Sequence, residues 1–373
     1  MMKKFILSVC TVLFLMTPLS AVEWGGLFFN DSGVSTPDFK DITVNQSDGV
    51  SVWIKSPLGA TSGLSFSSEV LYKFNLEIAK GSSPVFTQIV DLPLLKISGD
   101  LNMGGGILSL NAGRFYYVDG TTAVISQVID GVSVSYGLPL IKFGGFAGYT
   151  GLLNSLNVPM AVVPEKDNKF YNPAYPYLPL GGFVDLPSLF GNQSLEIDAY
   201  YLLDLGSAEE KLNLCYANAI LSGPITNSIY YNLATSLGFA NFSDVMNYSA
   251  FSLLVFPTDA LSLNAGVTFA TTEQGSLKSY TSLAPVSMTA AGKITPKASV
   301  SYTTKNMCID FGGNFVLAYN DSKYEPSNTD WNVGIIYNIF SDLQLGFTVN
   351  TSFDVTGANA HNYNAKLNLS LAF

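Results

Sequence analysis

From Tyr363 to Phe373 the chain alternates without a break. Tyr363, Ala365, Leu367, Leu369, Leu371 and Phe373 share one parity, and Asn364, Lys366, Asn368, Ser370 and Ala372 share the other. Successive side chains of a strand point to opposite faces, so this stretch encodes a strand with one apolar and one polar face. Leu64 to Ile78 repeats the pattern. Leu64, Phe66, Val70, Tyr72, Phe74, Leu76 and Ile78 oppose Ser65, Ser67, Glu69, Leu71, Lys73, Asn75 and Glu77, and only Ser68 breaks the apolar side. The same period recurs over 195–204, 307–317 and 343–350.

Alternation alone also suits a soluble sandwich, so strand length and polarity must decide. Several of these runs reach ten residues or more, whereas strands of globular proteins usually have about 5–6. A strand crossing a bilayer needs about 9–11. The polar face is Ser, Thr, Asn and Gly with few charges. Only 12% of the chain is charged while 48% is hydrophobic, against about 25% charged in ordinary soluble domains. Beyond residue 21 no apolar run approaches the roughly 18 residues of a membrane helix. The composition thus excludes a helical transporter, a coiled coil and a disordered polymer. A net charge of −10 with scattered basic residues argues against nucleic acid as a partner. An all-β closed barrel, with lipid outside and water inside, satisfies every backbone group and fits the pattern.

Lys3 and Lys4, the apolar stretch Phe5 to Met16, Pro18 and the small pair Ser20-Ala21 read as a secretory signal peptide cleaved after Ala21. Residues 1–21 are therefore expected to be removed, leaving 22–373 as a single transmembrane domain. Cys215 and Cys308 remain, far apart and in no metal-ligand spacing, so neither a disulfide scaffold nor a metal site is expected.

Short turn signals at 57–62, 102–105, 137–139, 191–193, 222–225, 257–259, 304–306 and 340–342 alternate with longer polar stretches. The latter lie at 31–48, 80–88, 118–128, 150–180, 205–210, 238–245, 271–292, 320–330 and 354–362. Tight turns at one end and longer loops at the other predict an antiparallel up-and-down barrel of about 18 strands, with 16 as the alternative. The strand near 24–29 and the segment 181–190, interrupted by Pro187, carry the weakest strand signals, since a proline removes a ladder bond.

The terminal run Tyr363, Leu367, Leu369, Leu371 and Phe373 resembles the last strand of bacterial outer-membrane β-barrel proteins. As a class, the whole mature chain is similar to porins. The resemblance implies recognition of this strand by the barrel-assembly machinery, with periplasmic chaperones as partners during biogenesis and outer-membrane lipid as the final setting. It also implies passive diffusion of small hydrophilic solutes without cofactor or catalysis, and it leaves a homo-oligomer open. A plugged barrel whose loops serve as a surface scaffold or adhesin is the alternative, and a barrel-embedded hydrolase a weaker one. His361 is the only histidine and has no recognisable serine partner in spacing.

Parity places Glu69, Lys73, Glu77, Lys142, Glu196, Asp198, Asp204, Lys297 and Asp310 on the polar face, as candidates to line the pore and set its ion preference. The excess of acids over lysines in this set predicts weak cation selectivity. Spacing of i, i+4 and i+8 suggests ion pairing among Glu69, Lys73 and Glu77. The long loop 150–180 is rich in proline and tyrosine. It is expected either to fold into the lumen as a constriction carrying Glu165, Lys166, Asp167 and Lys169, or to face outward as a cap. Arg114, the only arginine, shares the apolar parity of Leu108, Leu110 and Ala112. Either a bulge at Gly113 turns it inward, or it lies at the strand end and snorkels beside a girdle of Phe115, Tyr116 and Tyr117.

Overall fold

The computed structural model describes residues 22–59, 62–158, 170–207, 211–357 and 361–373. Its strands, in chain order, are β1 (Glu23–Pro37), β2 (Thr43–Pro57), β3 (Leu64–Ala79), β4 (Val85–Met103), β5 (Gly106–Val118) and β6 (Ser126–Leu138). There follow β7 (Ile141–Tyr149), β8 (Tyr177–Phe190), β9 (Gln193–Asp204), β10 (Leu214–Thr226), β11 (Ile229–Ala240) and β12 (Asp244–Thr258). The remaining strands are β13 (Leu261–Ala270), β14 (Lys293–Thr303), β15 (Met307–Asn320), β16 (Lys323–Asn338), β17 (Leu343–Asp354) and β18 (Asn362–Ala372). A six-residue helix, α1 (Pro285–Ala290), sits in the β13–β14 connection. All 18 strands form one antiparallel sheet in which sequence neighbours pair and β1 returns to β18. The barrel is closed.

Parity behaves as the sequence requires. Val52, Val70, Tyr72, Val132, Val134, Ile197, Leu233, Phe251, Phe347 and Leu367 stand exposed on the outer wall. The intervening residues turn inward, so the outer wall suits hydrocarbon. One outer patch departs from this. Asn30, Ser32, Gln46 and Asp48 lie on the outward parity of β1 and β2 and bond one another, with Ser32 Oγ donating to Gln46 Oε1 at 2.6 Å and Gln46 Nε2 to Asp48 at 3.0 Å.

That patch explains one correction. The polar stretch 31–48 is not a loop: β1 and β2 run through it and leave only 38–42 as the turn, because the polar side chains pair across the strands. Likewise 320–330 shrinks to the two residues Asp321 and Ser322. Both have positive φ (43° and 70°), the left-handed pair demanded by a tight hairpin turn. The 238–245 stretch reduces to 241–243 for the same reason, with Asn241 and Phe242 at 50° and 60°. At 222–225 the chain stays in β10, shifts register between Pro224 and Thr226, and turns later at 227–228. β8 survives its proline by losing pairing with β9 between Leu186 and Phe190.

Phe373 extends the closing seam between β1 and β18 by one more pair of bonds. Phe373 N donates to Gly26 O at 3.0 Å, and Gly26 N donates to Phe373 O at 2.8 Å. The Phe373 ring lies over Gly26 so closely that a Cβ added there would stand 2.3 Å from Cζ. Gly26→Val should therefore lower the yield of folded, heat-modifiable barrel several-fold. Gly33→Ala is the control, because its added Cβ would meet nothing nearer than 3.6 Å. Equal yields on an unheated gel would contradict this account of the seam.

Candidate functional site

Two arcs of very different character make up the interior. Along β5 to β13 the inward residues are largely apolar or aromatic: Phe115, Ile129, Phe146, Tyr177, Tyr200, Leu202, Leu214, Tyr216, Met246 and Tyr248. The connections 119–125, 150–158 with 170–176, and 271–292 fold in against them, contributing Val124, Ile125, Leu153, Ala174, Tyr280 and Leu283 to the same buried cluster. These inner loops hold one another. Leu283 N donates to Val124 O at 3.0 Å and Ser282 Oγ to Ala123 O at 2.6 Å, while Ile125 and Leu283 form a parallel bridge. The Tyr280 hydroxyl lies 3.1 Å from Ser236 Oγ on the wall and 3.2 Å from the Ala123 carbonyl. Asp119 organises the first loop by accepting from Thr121 N and Oγ1 and from Val124 N and Ile125 N. Burial is the larger influence and holds its carboxyl above the usual range, partly offset by those donors.

The other arc, β14 to β18 and β1 to β4, has no comparable cover from the described loops beyond their contacts with β4 at Val90, Asp91 and Leu94. Its inward residues are Ser, Thr, Asn and Gly with interspersed charges, and they line open recesses. One of about 590 Å³ is bounded by Lys55, Ser65, Ser67, Lys96, Asp100 and Asn111. A second of about 500 Å³ is bounded by Asp31, Asn45, Lys73, Glu77, Thr87 and Lys366. A third, of about 910 Å³, lies towards the end bearing the short turns, spans β4 to β8 of the neighbouring arc, and includes Asp100, Ser109, Lys142 and Asp185.

The sequence-predicted residues divide between the arcs. Lys73 and Glu77 border a recess on the open arc. Glu69, Lys297 and Asp310 keep the inward parity of that arc, with Ser301 Oγ bonding Asp310. Lys142 and Glu196 join Asp185 in one row across β7, β8 and β9. Asp198 and Asp204 do not face the open space. Asp198 is 2% exposed beneath the inner loops. Asp204 accepts from Gly206 N at 2.7 Å, Leu212 N at 2.8 Å and the Tyr175 hydroxyl at 3.0 Å. Pairing along β3 is also absent: no ion pair among the described residues joins Lys73 to Glu69 or Glu77. Residues four apart in a strand are roughly 13 Å apart, so i, i+4 logic belongs to helices. Glu165, Lys166, Asp167 and Lys169 lie outside the described residues.

The interior also takes three lysines, Lys55, Lys96 and Lys366, and four acids, Asp31, Asp100, Asp185 and Asp330, that are not among the pore candidates drawn from the sequence, although Lys366 lies on the polar parity of the last strand. Asp31 and Asp330 had been assigned to loops. In the fold Asp31 pairs with Lys366 at 3.0 Å, and Asp330 accepts from Ser352 and Asn328 at 2.6 Å each. The cross-strand partners were the missing signal. His361 sits in the last connection, where its backbone N donates to Asp38 at 2.8 Å and ties that connection to the β1–β2 turn.

Arg114 follows neither expectation. The β5–β6 register runs unbroken through Gly113, so no bulge turns the arginine inward. Phe115 and Tyr117 point into the interior, where Tyr117 stacks on Phe146 at 4.0 Å, instead of forming a girdle. At Arg114 the wall itself opens. Pairing of β4 with β5 ends at Leu95 opposite Arg114, and above that rung β4 continues without β5. Gly113 permits the close approach at this last rung, with φ of +118° and an added Cβ only 2.2 Å from Leu95 O. The connection after β7 fills the opening. Phe170 O accepts from Val90 N at 3.3 Å, Asn154 Nδ2 donates to Val90 O at 3.1 Å, and Asn157 Nδ2 to Asp91 at 2.6 Å. Arg114 locks the junction. It holds Asp130 through two bonds of 2.7 Å, approaches Asp91 at 3.7 Å, and donates to Leu152 O at 2.6 Å and Leu92 O at 3.3 Å.

No protein-family model matches the chain, and no curated protein matches it either. Solved structures do. OccK5 (OpdH) of Pseudomonas aeruginosa superposes with a TM-score of 0.61 at 9% identity, over 96% of this chain and 99% of that one. OccAB4 of Acinetobacter baumannii gives 0.59 at 11% identity, over 95% and 98%. The outer membrane protein OpdK of P. aeruginosa gives 0.56 at 12% identity, over 94% and 98%. The chain therefore has the fold of a porin-like bacterial outer-membrane β-barrel. At these identities the likeness extends to architecture and not to individual residues.

Because Arg114 satisfies two strands and a loop at once, truncating it strands Asp91 and Asp130. Arg114→Ala should destabilise the barrel by about 3 kcal/mol or more, as for other broken buried ion pairs. It should also expose the 150–176 connection to protease. Arg114→Lys should rescue only in part, since lysine lacks the planar fork that holds Asp130. Thermal unfolding in detergent and limited proteolysis measure both effects, and a wild-type digestion pattern for Arg114→Ala would refute the lock.

Proposed function

We propose that the chain is a passive outer-membrane channel for small hydrophilic solutes, weakly selective for cations. The observation that carries this reading is the bare arc from β14 round to β4. It is lined by Ser, Thr, Asn and charged residues, and apart from contacts at Val90 and Asp91 of β4 the described inner loops pack on β5 to β13 instead. A barrel of this strand number leaves an aqueous lumen. Because the described loops cover one side only, an open channel fits them better than a plugged scaffold.

Charge on the open arc is nearly balanced. Asp31, Glu69, Glu77, Asp100, Asp310 and Asp330 face Lys55, Lys73, Lys96, Lys297 and Lys366, while Lys142 stands beside Asp185 and Glu196. The surplus is slightly negative, which supports a mild cation preference and argues against a sharp one. In this proposal residues 1–21 direct export and are removed. The terminal strand, from Tyr363 through Leu367, Leu369 and Leu371 to Phe373, is what the assembly machinery reads.

Planar-bilayer recording with the refolded protein tests the channel. Glu69→Gln combined with Glu77→Gln should lower the cation-to-anion permeability ratio about twofold, seen as a reversal potential moved toward anions in a salt gradient. Sealed Asp204, replaced by Asn, should leave it unchanged. Folded protein without conductance would sink the channel. An unmoved reversal potential in the double variant would remove those two carboxylates from the permeation path.

A further inference from the structure

Under the inner loops the wall keeps a polar row that the pore does not use. Asp198 on β9 pairs in register with Asn218 on β10, and Asn218 with Ser236 on β11, all pointing inward. Asp198 and Asn218 are each 2% exposed, and Ser236 is fully buried. Ser236 is satisfied by the Tyr280 hydroxyl. Its two neighbours are not. Both carboxylate oxygens of Asp198, and both the oxygen and the nitrogen of the Asn218 amide, are buried and make no hydrogen bond of normal geometry, although the Asn218 amide and the Tyr200 hydroxyl lie near the carboxylate.

Buried polar atoms without partners mark a site for something the protein atoms do not supply. An unpaired buried carboxylate costs several kcal/mol, so Asp198 must either take up a proton or receive a positive partner. No lysine or arginine among the described residues pairs with it. The surroundings add negative charge: Glu196 is the preceding inward residue of β9, and its Oε1 is so close to Gly120 that an added Cβ there would lie 2.5 Å away. Asp119, next to Gly120, has its oxygens taken up by its own loop.

We propose that the buried, unsatisfied pair Asp198 and Asn218 is a binding site for a small monovalent cation. Asp198 supplies the charge and Asn218 a neutral side-chain oxygen. A divalent ion fits less well. Among the described residues no cluster of three His, Cys, Asp or Glu side chains offers metal-ligand geometry, and hard divalent ions take six or more oxygens with several carboxylates. The site belongs to the packing of the inner loops against the wall, so it stands whether or not the lumen conducts.

Thermal unfolding of the full barrel in detergent tests it, in sodium, potassium and choline chloride at equal ionic strength. An ion that binds only the folded state raises the midpoint by mass action. The wild type should therefore unfold some degrees higher in sodium or potassium than in choline, with a dependence that saturates. Asp198→Asn should abolish the difference and Asn218→Ala should reduce it, while Glu69→Gln on the open arc keeps it. Should Asp198→Asn fail to fold, Asn218→Ala and the wild-type salt series still decide. Equal wild-type midpoints in the three salts would mean that only a proton or water fills the site, and the proposal fails. A salt difference that persists in Asn218→Ala at wild-type size would likewise overturn it.

Discussion

Each backbone amide left unpaired in hydrocarbon costs several kcal/mol, so a sheet that crosses a bilayer has no tolerable edge. In this chain that requirement is met at the β1–β18 seam, from Leu27 opposite Ala372 to Pro37 opposite Asn362. Phe373 adds the final pair of bonds to Gly26. The ring packed on a glycine lets the first and last strands meet without a side chain between them. Once the seam exists, every other strand has neighbours on both sides. The alternation of inward and outward residues then becomes a property of the whole cylinder and not of separate hairpins.

The same requirement explains the β4–β5 junction. Above Leu95 and Arg114 the ladder is interrupted, leaving donors and acceptors of β4 without strand partners. The connection after β7 answers with Phe170 O and the Asn154 amide on Val90. Arg114 covers the Leu92 and Leu152 carbonyls and is neutralised by Asp130. An arginine on the outward parity would be costly against lipid. Here it faces protein, because the loop has taken the place of lipid. A long loop held in this way is part of the wall as well as part of the interior.

Period-2 alternation made the architecture legible: strand number, antiparallel order and most tight turns follow from it. Polar segments were harder. Asp31, Ser32, Gln46 and Asp48 read as loop because their polarity is local, whereas their satisfaction is cross-strand and depends on register. The tight turn at Asp321-Ser322 carries no glycine, so nothing in the residues announced two successive positive φ values. Inward parity was also legible for the candidate pore residues, yet parity cannot say what else lies inside. Asp198 and Asp204 have the same alternation as Glu196, and only the folding-in of distant loops separates a sealed carboxylate from an exposed one.

That separation bears on the ion preference proposed above. Net sequence charge is a poor guide, since buried acids and those held by loop amides contribute little field to a passing ion. On the open arc lysines from β2, β3, β4, β14 and β18 interleave with acids from β1, β3, β4, β15 and β16. Interleaving at strand spacing leaves charges of opposite sign within about a Debye length of one another, roughly 8 Å at physiological ionic strength. In the proposed channel the open arc would thus present a polar surface of nearly balanced charge, and the clearest local surplus of acid lies on the other arc, in the Lys142, Asp185 and Glu196 row.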